Sequence, residues 1–220
     1  MARRFTVFTS LAFLLALATA HPNAQLGSRP AGDWISRLER PERVKELKTA
    51  EVIQKLGLKP GDVVADIGAG AGVFSWPLAR AVAPGTVYSV EVDKGFIAHL
   101  ERRAREQQLT NVRPVLGRFD DPLIPEKVDL AFFHDVLHHV EKRAEYLKKV
   151  ASYLEPTGRI AVIDLDATRP DASHRDEPEQ QVTRQQVEGW MAAAGLQKLD
   201  DIELFADKWF VIYGKRPAKQ

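Results

Sequence analysis

The stretch "VVADIGAGAGVF", residues 63–74, is an apolar run that breaks into three alternating glycines. It is entered through the turn Lys59-Pro60-Gly61-Asp62, and its apolar continuity predicts a buried strand over 62–68. The glycines at 68, 70 and 72 allow a sharp turn and a close approach of backbone to a ligand. The segment "VFSWPLARAVA" that follows reads as a helix stopped at Pro84-Gly85, and its N-terminal N–H groups would face the same place.

Outward from this unit the rhythm repeats. "TVYSVEV" (86–92) predicts a second strand, and "FIAHLERRAREQQL" carries Phe96, Ile97, Leu100 and Ala104 at helical spacing. "NVRPVLG" (111–117) is a shorter strand whose Pro114 predicts an edge position. "KVDLAFFH", a helix around 142–154 and "GRIAVIDLD" (158–166) complete five strand-and-helix alternations, which imply right-handed crossovers and a parallel sheet with helices on both faces. Then "TRQQVEGWMAAAG" reads as a helix ended by Gly195, and "LQKLDDIELF" and "KWFVIYGKR" as an antiparallel pair closing the sheet. Before Lys59, residues 33–58 read as a helical cover interrupted at Pro41.

At 220 residues the chain suits one α/β domain with a sizeable core. Its 45% hydrophobic and 28% charged residues exclude a disordered chain, and a net charge of +1 gives no reason to expect nucleic acid. The absence of cysteine removes disulfides, thiolate nucleophiles and Cys-ligated zinc. Residues 1–20 have Arg3 and Arg4, an apolar stretch from Phe5 to Ala18 and the small-x-small site Ala18-Thr19-Ala20; this is the layout of a secretory signal peptide. Export is expected, the alternative being an uncleaved anchor through residues 5–20. Residues 21–32, "HPNAQLGSRPAG", read as a flexible lead-in, leaving 33–220 as a single domain.

A nucleoside ribose needs an acid at the end of the second strand for its hydroxyls, and Glu91 ends "TVYSVE". A dinucleotide site wants G-x-G-x-x-G, whereas this chain has G-A-G-A-G followed by Val73 and Phe74. Here the chain resembles the class I S-adenosylmethionine-dependent methyltransferases, whose first motif looks like D-I-G-x-G-x-G. The resemblance runs from about Trp34 to the C-terminus, with "RLERPER", "VADIGAGAGVFSWPLARAV", "VYSVEVD", "DDPLIPEKVDLAF", "HDVLHHV", "LEPTGRIAVIDLD" and "AAAGLQ" in the order that family shows. It implies an α/β, Rossmann-like doubly wound sheet of seven strands, mostly parallel with an antiparallel last strand. It also implies S-adenosyl-L-methionine as cofactor and methyl transfer by in-line displacement to a small-molecule acceptor. By the same resemblance Asp66 steers the loop, Gly68, Ala69, Gly70 and Gly72 line the cofactor, and Glu91 takes the ribose hydroxyls. Asp120 or Asp121 approaches the adenine amino group, although many members place that acid where this chain has Arg118. Segment 33–50 is expected to form a lid, and 167–183 to overhang the pocket and shape substrate choice.

The run "FFHDVLHHV" (132–140) contains His134-Asp135-x-x-His138, one methylene short of H-E-x-x-H. A zinc site of that type needs both histidines on one helix, but "VDLAFF" is a β-run leading straight into His134, so no metal site is assigned. The resemblance instead puts His134 at the end of the fourth strand, against the cofactor. It makes Asp135, His138 and His139 the candidates for acceptor chemistry, histidine being able to take a proton near neutral pH; two structural histidines are the alternative. A magnesium variant would use Asp135 with Asp164 or Asp166, but "IDLDAT" lacks the Asn that catechol-type relatives carry after the later acid. The cofactor is made in the cytosol while residues 1–20 point outward. A non-catalytic nucleoside-binding scaffold is therefore the second reading, and an NAD-type oxidoreductase the third.

Overall fold

The computed structural model describes residues 31–169 and 177–215. The expected signal peptide at 1–20 lies outside the described residues, as do residues 170–176 of the expected overhang. The cover begins two residues earlier than expected and consists of three short helices, α1 (Ala31–Leu38), α2 (Pro41–Glu46) and α3 (Thr49–Leu56). Pro41 starts α2, where its missing N–H costs nothing. A second break falls at Lys48, which takes a left-handed φ of 47°; nothing in "KELKTAE" marks it, because lysine has no preference for that conformation.

The rest of the chain alternates as its hydrophobic pattern requires. In order come β1 (Val64–Ile67), α4 (Ser75–Val82), β2 (Val87–Glu91), α5 (Lys94–Glu106), β3 (Val112–Leu116), β4 (Val128–His134), α6 (Arg143–Ser152) and β5 (Leu154–Leu165). They are followed by α7 (Arg184–Ala193), β6 (Leu196–Asp201) and β7 (Lys208–Lys215). The seven strands form one sheet in the order β3-β2-β1-β4-β5-β7-β6. Strands β1 to β5 are mutually parallel, and β7 runs antiparallel to both β5 and β6. The last strand is thus the one that reverses. Pro114 sits on the edge strand β3, opposite Ser89 of β2, where no ladder partner needs its N–H.

Strand β6 stops at Asp201, short of the expected Phe205. The chain there turns inward, so that Ile202, Leu204 and Phe205 pack against the core beneath α3 and α4. Strand β5 starts earlier than expected, Leu154 pairing with Val128 across an irregular register.

Side-chain alternation divides the core into two layers. Leu130 and Phe132 of β4 join Leu78, Val82 and Leu100 on the α4–α5 face. Ala131 and Phe133 join Leu147, Val150 and Val187 on the α6–α7 face. The chain moves from β1 out to the β3 edge, then returns to β4 beside β1. That reversal opens a crevice at the carboxyl ends of β1 and β4.

Phe132 is fully buried at the sheet centre with its ring centroid 5.0 Å from that of Phe74. Phe132→Ala is expected to cost about 3–5 kcal/mol of unfolding free energy, from lost burial plus the cavity left behind. A urea titration followed by circular dichroism checks it.

Candidate active site

The end of β1 is bound to β2 as the chain leaves the sheet: the N–H groups of Gly68 and Ala69 both donate to the Val90 carbonyl, at 2.9 and 3.1 Å. Gly68, Gly70 and Gly72 have φ of 68°, 55° and 80°, a run of left-handed residues that only glycine adopts without strain. Their surroundings differ. A Cβ on Gly68 would lie 2.3 Å from the Val136 side chain, and one on Gly72 2.3 Å from the Trp76 ring. Gly70 faces Leu38 of α1, so the N-terminal cover does meet the glycine loop.

Glu91, at the end of β2, accepts the Gly70 N–H on Oε1 at 2.7 Å and the Val92 N–H on Oε2 at 3.0 Å. It is only 5% exposed. Burial raises its pKa, and backbone donors, those of Gly70 and Val92 foremost, work against that rise. Each oxygen keeps a second lone pair. The carboxylate stands in the wall of a cavity of about 360 Å³, together with Gly68, Phe119, Asp120, Val136 and His139. Phe119 is 60% exposed and Val92 37%, so the rim offers apolar surface to whatever fills the space.

Below the loop lies a second carboxylate. Asp66 is buried and accepts the Ser75 hydroxyl at 2.6 Å, while Ser89 donates to Ser75 at 2.8 Å. Burial pushes the Asp66 pKa up to about 7, against the Ser75 hydrogen bond and helped by the nearby Glu91 charge.

The carboxyl end of β4 turns sharply, Asp135 having a left-handed φ of 52°. The His134 ring lies on the Phe132 side of the sheet, 4.6 Å from the Phe74 centroid, and burial lowers its pKa to about 4. Asp135 is ion-paired with Lys208. Val136 reaches the cavity wall. A turn of 3₁₀ helix, Leu137–His139, follows. His138 is buried, with Nδ1 2.6 Å from Asp164 Oδ1 and its own backbone N–H 3.2 Å from Oδ2. His139 stands in the cavity wall with its ring centroid 4.1 Å from that of His138. Arg143 fastens the turn by donating to the Leu137 and His138 carbonyls, at 3.1 and 2.7 Å.

Residues 58–206, well over half of the chain, match the family described as "Methyltransferase domain". The chain belongs to the methyltransferase domain family. A SAM dependent methyltransferase from Aquifex aeolicus has the same fold, with a TM-score of 0.74 at 23% identity over 84% of this chain and 98% of that one. The class I methyltransferase fold expected from the motifs is therefore the one observed. Among curated relatives, an arsenite methyltransferase of Halobacterium salinarum is 27% identical over 51% of this chain and 29% of its own length. An uncharacterised protein in transposon TN4556 of Streptomyces fradiae is 28% identical over 69% of this chain and 43% of its own. The chain spans less than half the length of these two relatives.

Within this methyltransferase domain, the structure brings Gly68, Glu91, Asp120 and His139 together around one cavity. The other expected residues do not line this cavity. Gly72 serves the packing of Trp76 and Leu100 rather than the cavity, and Gly70 meets it only through Glu91. Ala69 packs toward the α4 side. Asp66 lies behind the loop. Asp121 belongs to a turn, accepting Leu123 N–H at 3.0 Å and the Tyr153 hydroxyl at 2.8 Å. His134 and Asp135 are outside the cavity wall because β4 alternation sends His134 to the opposite face and the left-handed turn carries Asp135 after it. His134 and His138 do not share a helix, and among the described residues no group of three or more His, Asp or Glu is placed to hold a metal ion.

Sequence reading missed Phe119, Val92, Tyr146 and Asp164 as a histidine partner. Phe119 had a legible signal, an aromatic residue inside the polar turn "GRFDDP"; so did Asp164, a carboxylate within the β-branched run "IAVIDL". Tyr146 had none.

The raised Asp66 pKa has a consequence for stability. Between about pH 4 and 7 the unfolded chain gives up a proton that native Asp66 retains, so the native state loses stability as pH rises through that window. Asp66→Asn is expected to flatten this part of the profile, by on the order of a few kcal/mol in all. Urea unfolding of both proteins at a series of pH values measures it.

Proposed function

We propose that this domain transfers a methyl group from S-adenosyl-L-methionine to a small-molecule acceptor. One observation carries the reading: a buried carboxylate, Glu91, faces a cavity bounded by a glycine backbone and by exposed apolar surface. The donor set fits an adenosyl group. Glu91 would accept the ribose hydroxyls on its spare lone pairs, Val92 and Phe119 would cover the adenine, and Asp120 would meet its amino group. A pyrophosphate-bearing dinucleotide fits less well, because the glycines are spaced G-x-G-x-G and Val73 stands where the third glycine of G-x-G-x-x-G would be.

When bound, the cofactor supplies a methyl group on a sulfonium centre, already activated toward displacement. The protein's share is then alignment and exclusion of water. Leu38 on the cover lies over Gly70, and Tyr146, Val136 and Val140 present apolar surface inside the cavity. In this reading His139, which lines the cavity, would take a proton from an acceptor, and His138, tied to Asp164, would position it through ring contact. A carboxylate bonded to Nδ1 sets which nitrogen of His138 carries the proton. Relatives named for acceptors as different as arsenite and cobalt-precorrin-6B match only 51% and 36% of this chain, so the acceptor is read from neither. Export through residues 1–20 belongs to this proposal, and fractionation of cells expressing the full chain tests it.

Calorimetric titration of the chain with S-adenosylmethionine, and separately with NAD, decides the reading. Saturable binding of the sulfonium is expected. Glu91→Ala should weaken it about 10–100-fold, the range for losing hydrogen bonds to a buried charged group. Preference for NAD would overturn the reading in favour of an oxidoreductase, and no binding of either would favour a non-catalytic scaffold.

A further inference from the structure

The connection from β5 to α7 runs over residues 166–183, and both of its ends are tied to one place, the 3₁₀ turn Leu137–His139. The tie at the start is Asp164, near the end of β5 and 1% exposed. Its Oδ1 lies 2.6 Å from His138 Nδ1, and its Oδ2 accepts the His138 backbone N–H at 3.2 Å. The tie at the far end is Arg143, the half-buried first residue of α6. Its Nε donates to the Leu137 carbonyl at 3.1 Å, and its Nη2 to the His138 carbonyl at 2.7 Å. The same Nη2 also donates to the Glu179 carbonyl, in the 3₁₀ turn Pro178–Gln180 that precedes α7.

Capping explains only part of this. A short helical turn leaves its last carbonyls without backbone partners, and a cation beside them is favourable. That accounts for Leu137 and His138. It does not account for Glu179, 36 residues further along the chain. A planar guanidinium carries five donors at fixed angles and can hold carbonyls of two segments at once, which a single ammonium does poorly. The Asp164 charge acts on Arg143 as well, against the effect of its burial.

The far segment is itself one unit. Gln180 and Gln181 donate their N–H groups to the Glu177 and Pro178 carbonyls at 2.9 and 3.2 Å, and the Gln180 side chain donates to Glu177. The near segment borders the cavity. Val136 and His139, on either side of Leu137 and His138, both line it, whereas Arg143 does not. A shift of this wall therefore pulls on His138, and through Arg143 on Glu179.

We propose that Arg143 is a positioning residue which, with His138, couples occupation of the cavity to the placement of residues 177–181. It acts by fixing the turn that carries His139 and the backbone of Glu179 to one guanidinium. With an S-adenosyl ligand as occupant, the coupling rests on the proposed function.

The test is amide hydrogen exchange of the full chain, read by mass spectrometry with and without saturating S-adenosylhomocysteine. In Arg143→Met, residues 137–140 and 177–182 are expected to exchange at least about tenfold faster together, the scale of losing hydrogen bonds from a charged donor, while α5 is unchanged. The ligand is expected to slow exchange in both segments of wild type, but only in 137–140 of the variant. Arg143→Lys keeps the charge without the fork and is expected to behave alike; it carries the test should circular dichroism show Arg143→Met unfolded. Acceleration confined to 137–140 makes Arg143 a cap on one turn and overturns the inference. So does ligand protection of 177–182 that survives in the variants, or ligand binding that protects neither segment of wild type. Should S-adenosylhomocysteine not bind at all, it is the proposed function that fails, and the ligand-free exchange of the two segments alone decides whether Arg143 joins them.

Discussion

The hydrogen bond from Gly70 N–H to Glu91 Oε1 joins the two halves of the crevice. Strand β1 can leave the sheet sharply only because Gly68, Gly70 and Gly72 accept positive φ, and the loop so formed has backbone N–H groups with no strand to pair with. A carboxylate at the end of β2 gives one of them a partner at 2.7 Å. The same bond helps Glu91, since burial of an anion is costly and two backbone donors offset that cost. Loop and carboxylate therefore stabilise each other before any ligand is present. Hydrogen-bond capacity remains on both oxygens, and the site is pre-organised around that remainder.

Asp66 is a second buried carboxylate, held by a side-chain hydroxyl instead. Its side chain receives the Ser75 hydroxyl, and burial carries its pKa up to about 7. Both acids lie at the carboxyl ends of neighbouring parallel strands, yet one is braced by backbone dipoles and the other sits behind the loop with a chain of two serines. Position in the sheet brought them close, and burial raises the pKa of both; what differs is the kind of donor that opposes the rise.

The pattern that was legible in the sequence is the pattern carried by the backbone. Alternating β-branched runs and helical spacings gave the succession of strands and helices, Pro114 gave the β3 edge, and Gly68 with Glu91 gave the crevice. Each rests on a local rule with one physical cause: period, a missing N–H, or tolerance of positive φ. Properties that depend on tertiary contact were not legible. Lys48 breaks the cover without a breaker residue, Asp121 was indistinguishable from Asp120, and Lys208 and Arg43 are ordinary surface-type residues until β7 and α2 bring them to Asp135.

The segment from Phe132 to His139 marks where local rules stop being sufficient. While the chain is in β4, alternation alone assigns Phe132 and His134 to one face and Phe133 to the other. The left-handed residue at Asp135 ends that alternation, and the following side chains are placed by turn geometry. Val136 reaches the cavity, Leu137 the core, His138 the Asp164 carboxylate, and His139 the cavity again. Four histidine or aspartate side chains that look equivalent as a string thus occupy three environments. A helical reading would have grouped His134 with His138, and a strand reading would have put His134, Val136 and His138 on one face. Neither occurs, because one residue with positive φ, stabilised by an ion pair from a strand more than seventy residues later in the chain, resets the direction of everything after it.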